Sequence, residues 1–233
     1  MSAGGVAGLR RFLVARPAPV VVERCDLCAA ELPGEHGHLV RPGERALRCA
    51  CRPCSLLFDA ERVGTDGAFV TGYRTVPDRY RRDPAFTLTD AAWDALQIPV
   101  STAFFLLDST RDGVLACYPS PAGATESELG MDSFDDGVGA TRLATLLRPD
   151  VEALLVRRPR DGGTGIDGPA ALRCVSECFL VPIDACYRLV GLVRTTWKGF
   201  DGGAAAWAAI DGFFADVRAR ARDLRPDEGV PTR

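Results

Sequence analysis

Five of the nine cysteines and both histidines of this chain fall between residues 25 and 54, as Cys25-x2-Cys28, His36-x-His38 and Cys49-x-Cys51-x2-Cys54. That crowding constrains the fold more than any other feature. Thiolate and imidazole are the side chains that hold zinc or iron at neutral pH, and two Cys-x2-Cys pairs separated by a hairpin's length of chain close a tetrahedron. The two ends of the segment must therefore meet in space.

The spacing predicts how they meet. Cys25 and Cys28 fit a tight knuckle whose backbone N–H groups point at the first thiolates. His38 to Arg41, the turn Pro42-Gly43-Glu44, and Arg45 to Cys49 then read as a hairpin. Pro53 suits the first turn of a helix running from Ser55 to Arg62, which would put Cys51 and Cys54 near its positive end. Knuckle, hairpin and helix in that order resemble a treble-clef finger. Four thiolates around a divalent ion leave a net charge of about −2, which Arg24, Arg48 and Arg52 are placed to offset.

The ligand set is open at this level. Residues two apart on a strand face the same side, so Cys49 can join Cys51, and His36 can join His38. Three arrangements follow: one zinc held by Cys25, Cys28, Cys51 and Cys54 with Cys49 and the histidines around it; a mixed Cys/His site; or a binuclear site. Iron is the rival metal, because thiolate-rich sites also hold iron or iron–sulfur clusters. The order of cysteines and histidines does not follow the Rieske pattern, in which each Cys precedes a His.

Length and charge narrow the remainder. A chain of 233 residues accommodates one well-cored domain beside a small metal-stabilised module. The formal charge of −3 argues against a sequence-independent nucleic-acid binder. No apolar run approaches membrane-spanning length. Lys198 is the only lysine, Gln97 the only glutamine, and asparagine is absent, while arginine is abundant. GC-rich codons produce that pattern, so the arginines are not read as phosphate recognition. Clustered cysteines without a clear export signal point to a cytoplasmic protein with reduced thiols and no membrane attachment.

The expected organisation is a flexible segment over residues 1–22, the Cys-rich finger over 23–62, an irregular arginine-containing connector over 63–88, an α+β domain over 89–225 and a tail over 226–233. Within the domain, a short helix is expected from Thr89 to Leu96. A hairpin of Thr102 to Leu107 and Val114 to Tyr118 follows, joined by a polar turn ending in Gly113. Gly139 to Leu147 reads as helical, Val151 to Arg158 as a strand, Asp161 to Gly168 as a loop and Leu172 to Val181 as a strand. Ile183, Cys186, Leu189, Val190, Val193 and Trp197 fall at helical spacing behind Asp184 as a cap. Trp207, Ile210, Phe213, Phe214 and Val217 form the stripe of a last helix. The fold class is thus α+β, with a mainly antiparallel sheet covered by a C-terminal helical hairpin.

Chemistry outside the finger is sparse. Without a histidine there, Ser-His-Asp and Cys-His mechanisms are unsupported unless the finger packs over the site. Cys117, Cys174, Cys178 and Cys186 read as buried small apolar groups, with a second metal site from Cys174, Cys178 and Cys186 as the sharper alternative. Tyr118 to Leu129 reads as a Pro/Gly loop feeding a helix through a capping box of Thr125 and Glu128, or as a ligand loop offering Glu126.

Taken together, the cysteine and histidine motifs, the run Tyr118 to Leu129, the run Asp150 to Val156 and the run Pro182 to Gly191 resemble an uncharacterised bacterial family. Its members are often encoded beside uptake nickel–iron hydrogenase genes. The likeness covers most of the chain from the finger onward and implies a neighbourhood, not an activity. The reading it supports is a non-enzymatic, zinc-binding accessory or assembly protein, with a hydrogenase subunit or maturation factor as its protein partner. An iron-binding electron-transfer protein and a metal-dependent hydrolase using the histidines with Glu126 or Glu128 are the competing readings.

Overall fold

A computed structural model describes residues 22–44, 46–59, 72–111, 113–127, 131–158 and 176–229. Residues 1–21 of the expected first segment, the loop from Asp161 to Gly168, and Cys174 lie outside them.

The Cys-rich stretch forms a turn, a hairpin and one short helix. Strands β1 (Gly37–Val40) and β2 (Leu47–Ala50) pair antiparallel around the Pro42-Gly43 turn, where Gly43 takes a φ of +83°. Helix α1 (Arg52–Leu56) follows at once, with Pro53 in its first turn. It is five residues long, ending before the expected Arg62. The connector then contributes β3 (Arg74–Thr75), which pairs with the free side of β1 to make a three-stranded sheet, β2-β1-β3. Part of the stretch expected to be irregular is therefore ordered by the finger itself.

The body is a seven-stranded sheet. Its strands are β4 (Arg81–Arg82), β5 (Thr102–Asp108), β6 (Gly113–Ser120), β7 (Gly123–Ser127), β8 (Glu152–Arg157), β9 (Glu177–Pro182) and β10 (Arg222–Asp223), in the order β10-β4-β9-β8-β5-β6-β7. All pairs are antiparallel except β10 with β4. Helix α2 (Asp90–Ala95) is capped by the Thr89 hydroxyl, which accepts from the Ala92 N–H at 3.1 Å. The other α-helices among the described residues are α3 (Met131–Asp135), α4 (Ile183–Thr196) and α5 (Gly203–Arg220). The architecture is α+β with a largely antiparallel sheet and a C-terminal helical pair.

Burial on both faces explains the near-continuous apolar strands. Phe104, Leu106, Leu155, Phe179 and Val181 face α4 and α5, packing against Leu189, Val193, Phe213 and Phe214. The alternate residues Ala103, Phe105, Leu154, Val156 and Leu180 face Trp93, Leu96, Phe134 and Leu143. Each fully buried Leu or Phe contributes about 1.5–3 kcal/mol by leaving water. The second covered face was not expected from the sequence. Cys178 lies in this second cluster while Cys117 and Cys186 lie in the first, so the sheet separates Cys178 from Cys186. Burial pushes the thiols of both Cys178 and Cys186 well up, as for inert core groups.

Three local expectations need correcting. Thr125 is not a helix cap but a strand residue, while Glu128 and Leu129 lie outside the described residues. The Ser120 hydroxyl donates to the Gly123 carbonyl at 3.0 Å and accepts from the Ala122 N–H at 3.2 Å, turning β6 back as β7, with Thr125 paired to Tyr118. Gly139 to Leu147 holds a single 3-10 turn, Ala144–Leu146, because Gly137 and Gly139 both fold back onto the Phe134 carbonyl. Asp184 does not cap α4. Pro182 holds the N-cap position, β9 runs straight into the helix, and the Asp184 carboxylate is engaged elsewhere.

The arginines of the connector are bound by carboxylates. Arg74 donates to Asp150 at 2.6 Å and Arg79 forms two bonds to Glu152, at 2.7 and 2.6 Å. Arg81 and Arg82 pair with Glu228 and Asp223. These pairs fasten the segment between finger and body onto the sheet. No helix among the described residues is long and apolar enough to cross a membrane.

Candidate metal centre

Cys25 and Cys28 sit on a knuckle closed by two backbone bonds, Cys25 N–H to Ala30 O and Ala29 N–H to Cys25 O, both 2.8 Å. Ala29 takes a φ of +60° to complete the turn. The Asp26 N–H bonds the Cys49 carbonyl at 2.9 Å, and the Asp26 carboxylate accepts from the Cys49 N–H at 2.7 Å, stitching the knuckle to β2. Cys51 lies one residue past β2 as the N-cap of α1, with φ −69° and ψ 159°. Cys54 is on the helix.

These elements bring Cys25, Cys28, Cys51 and Cys54 together, with all four sulfurs within 4.8 Å of one another. The Cys28 and Cys51 sulfurs are 3.6 Å apart. That is far beyond a disulfide bond of about 2.05 Å. It is close to the edge of a tetrahedron with metal–sulfur bonds of about 2.3 Å, which is roughly 3.8 Å. The four-sulfur set fits a divalent thiophilic ion, and its geometry needs little adjustment to receive one.

The protonation of the cluster follows from its hydrogen bonds. Burial pushes the Cys25 thiol up, but N–H groups of Cys51, Leu27 and Cys28 point at its sulfur and bring it down to about 6. Cys54 is pushed up to about 12, chiefly by its hydrogen bond to the Cys51 thiol. At Cys28 the Ala30 N–H acts to lower, and the Cys25 and Cys51 sulfurs outweigh it, so the thiol is raised. Without a metal, Cys28 and Cys54 hold their protons more firmly than ordinary thiols beside the more acidic Cys25. A bound cation would displace those protons. Arg24 is paired with Glu31 at 2.8 Å.

The other three predicted residues form a separate group. His36, His38 and Cys49 each place a ligand atom within 4.8 Å of the others. His38 and Cys49 are register partners across the β1–β2 hairpin, and the two imidazole centroids are 4.9 Å apart. Cys49 and Cys51, expected to face the same way, diverge because the chain leaves the strand between them. Gly37 separates the histidines at a point where α1 crowds β1, and a Cβ there would stand 3.3 Å from the Ser55 Cβ.

One participant was not anticipated. The His38 Nδ1 bonds the Asp184 carboxylate at 2.9 Å, joining β1 to the first turn of α4 across 146 residues. A carboxylate in the first turn of a helix carries the same sequence signal whether it serves the helix or a distant histidine. Glu126 stands exposed on β7 and is not among the residues lining the groove beside the histidines.

Residues 24–221 match the model of DUF5947. The chain belongs to DUF5947, a family of unknown function. Both sulfur-bearing groups and the whole seven-stranded sheet except β10 fall inside the matched range. No curated protein and no solved structure matches the chain. The site therefore has to be interpreted from its own chemistry.

Proposed function

We propose that this DUF5947 member is a zinc-binding accessory or assembly protein. Its four-cysteine finger is a treble clef in its order of knuckle, hairpin and helix, and it acts by docking to a protein partner. The observation that carries the reading is the four-sulfur cluster, with N–H groups aimed at Cys25 and a 3.6 Å sulfur–sulfur edge. A closed set of four thiolates is the usual form of a structural zinc site, one that contributes folding energy and leaves no open position for chemistry. The resemblance to proteins encoded near uptake hydrogenases supports a hydrogenase subunit or maturation factor as the partner.

Two experiments test this. Metal analysis and an absorption spectrum of protein purified without oxygen should find zinc at the four-cysteine site and no visible bands. Iron with visible absorption would instead make the cluster an electron-transfer centre. Deletion of the gene in a hydrogenase-bearing host should impair processing or activity of the hydrogenase subunits, and unchanged processing and activity would reject that partner.

A further inference from the structure

Beyond the four-cysteine reading, and on different residues, we infer that His36, His38 and Cys49 form a second metal site, one whose remaining coordination position is open to a groove. Both histidines are already set as ligands. The His36 Nδ1 lies 3.0 Å from the Pro33 carbonyl, and the His38 Nδ1 lies 2.9 Å from the Asp184 carboxylate. Each of those partners only accepts, so each Nδ1 carries a proton and Nε2 is the nitrogen left to face a cation.

The His36 Nε2 is the decisive atom. The His36 side chain is only 7% exposed, and its Nε2 is buried with no hydrogen-bond partner. A bare imidazole nitrogen is costly away from water. A cation shared with His38 and Cys49 would satisfy it. The His38–Asp184 bond supplies the carboxylate–histidine–metal arrangement that fixes a ring and raises its basicity. A nucleophilic reading of Cys49, His38 and Asp184 would leave His36 without a role.

Three protein ligands leave a tetrahedral ion one position for water or a small anion, the pattern of reactive rather than structural zinc sites. A groove borders the two histidines. His36, His38 and Asp184 line a groove of about 560 Å³ completed by Tyr187, Arg188 and Arg220, between the hairpin and α4. The two nitrogens and one thiolate suit a borderline divalent ion of the zinc and cobalt class.

The test is Co2+ titration of the chelator-treated full-length protein, followed by absorption. Two equivalents should bind: one with the intense charge-transfer bands of a four-thiolate site, and one with weaker bands. His38→Ala should lose only the second. Asp184→Asn, which keeps the ligands and removes the carboxylate, should weaken the second by about 10–100-fold and leave the first unchanged. Azide should shift the bands of the second equivalent alone. A single equivalent with four-thiolate bands, or two that survive His38→Ala, would overturn the second site, and bands indifferent to azide would overturn its open position. Loss of the four-thiolate bands with retention of an equivalent sensitive to His38→Ala would reject the four-cysteine finger and leave this site standing.

Discussion

Glu152 is fully buried, and replacing its partner Arg79 should reveal how strongly the connector is held to the sheet. Arg79→Met removes two charge-assisted bonds to Glu152, at 2.7 and 2.6 Å, and one to the Leu146 carbonyl at 2.7 Å. The Glu152 side chain, 0% exposed, is left with the Arg148 N–H at 3.0 Å among the bonds that hold it. Breaking a buried pair in this way costs about 3–5 kcal/mol, because a desolvated charge remains. Domain stabilities are about 5–15 kcal/mol, so the loss is a large share of the total. The reverse change, Glu152→Gln, should cost less, since Arg79 is 29% exposed and its guanidinium reaches water. The double variant Arg79→Met, Glu152→Met should recover most of the loss, because no unpaired charge is buried in it. Urea unfolding of the four proteins with the metal content held constant gives the comparison. A cost below about 1 kcal/mol for Arg79→Met would refute the reasoning, as would a double variant no more stable than that single one.

Other outcomes follow from the same geometry. Cys25→Ser should lose the metal of the four-cysteine site and its folding energy, read as one metal fewer per chain by elemental analysis together with a lower thermal midpoint. Arg142 grips Asp83 at 2.6 and 3.0 Å and holds its carboxyl below the usual range, with the Ala85 N–H helping against burial. The folded carboxyl is the stronger acid, so its contribution is present above the unfolded pKa of about 3.9 and is lost as pH falls through the folded value. Asp83→Asn should therefore flatten the acid limb of stability against pH, measured by urea midpoints between neutral and strongly acidic pH. Gly202 has a φ of +83°, and a Cβ there would stand 2.8 Å from the Trp197 ring. Gly202→Ala should cost about 1–3 kcal/mol, visible as faster unfolding and a changed tryptophan signal.

What the sequence revealed was governed by local rules. The four-cysteine cluster was legible because ligand spacing is a local signature, and the β5–β6 hairpin because two apolar runs flank a polar turn. The C-terminal helices were legible because their stripes repeat at helical spacing. Failures came where a local signal served a tertiary purpose. Thr125 and Glu128 have capping-box spacing, but edge pairing of Thr125 with Tyr118 prevails. Asp184 stands where a cap would, but its carboxylate serves His38. The division of seven candidate ligands into sets of four and three depended on the change of direction at Cys51, which spacing does not encode.

That division makes the finger part of the body rather than an appendage. Val40 of β1 and Val76, just past β3, belong to the core cluster beneath α4, and the Val76 N–H bonds the His38 carbonyl at 3.0 Å. The His38 side chain reaches the first turn of the same helix. The backbone and the side chain of one residue thus tie the hairpin to both the connector and α4. Whatever occupies the histidine side of the hairpin acts directly on the groove wall through Asp184, whereas the four-cysteine side acts by fixing the knuckle against β2 through Asp26. The two groups flank one hairpin and have no residue in common, so each can be altered by substitution without removing a member of the other.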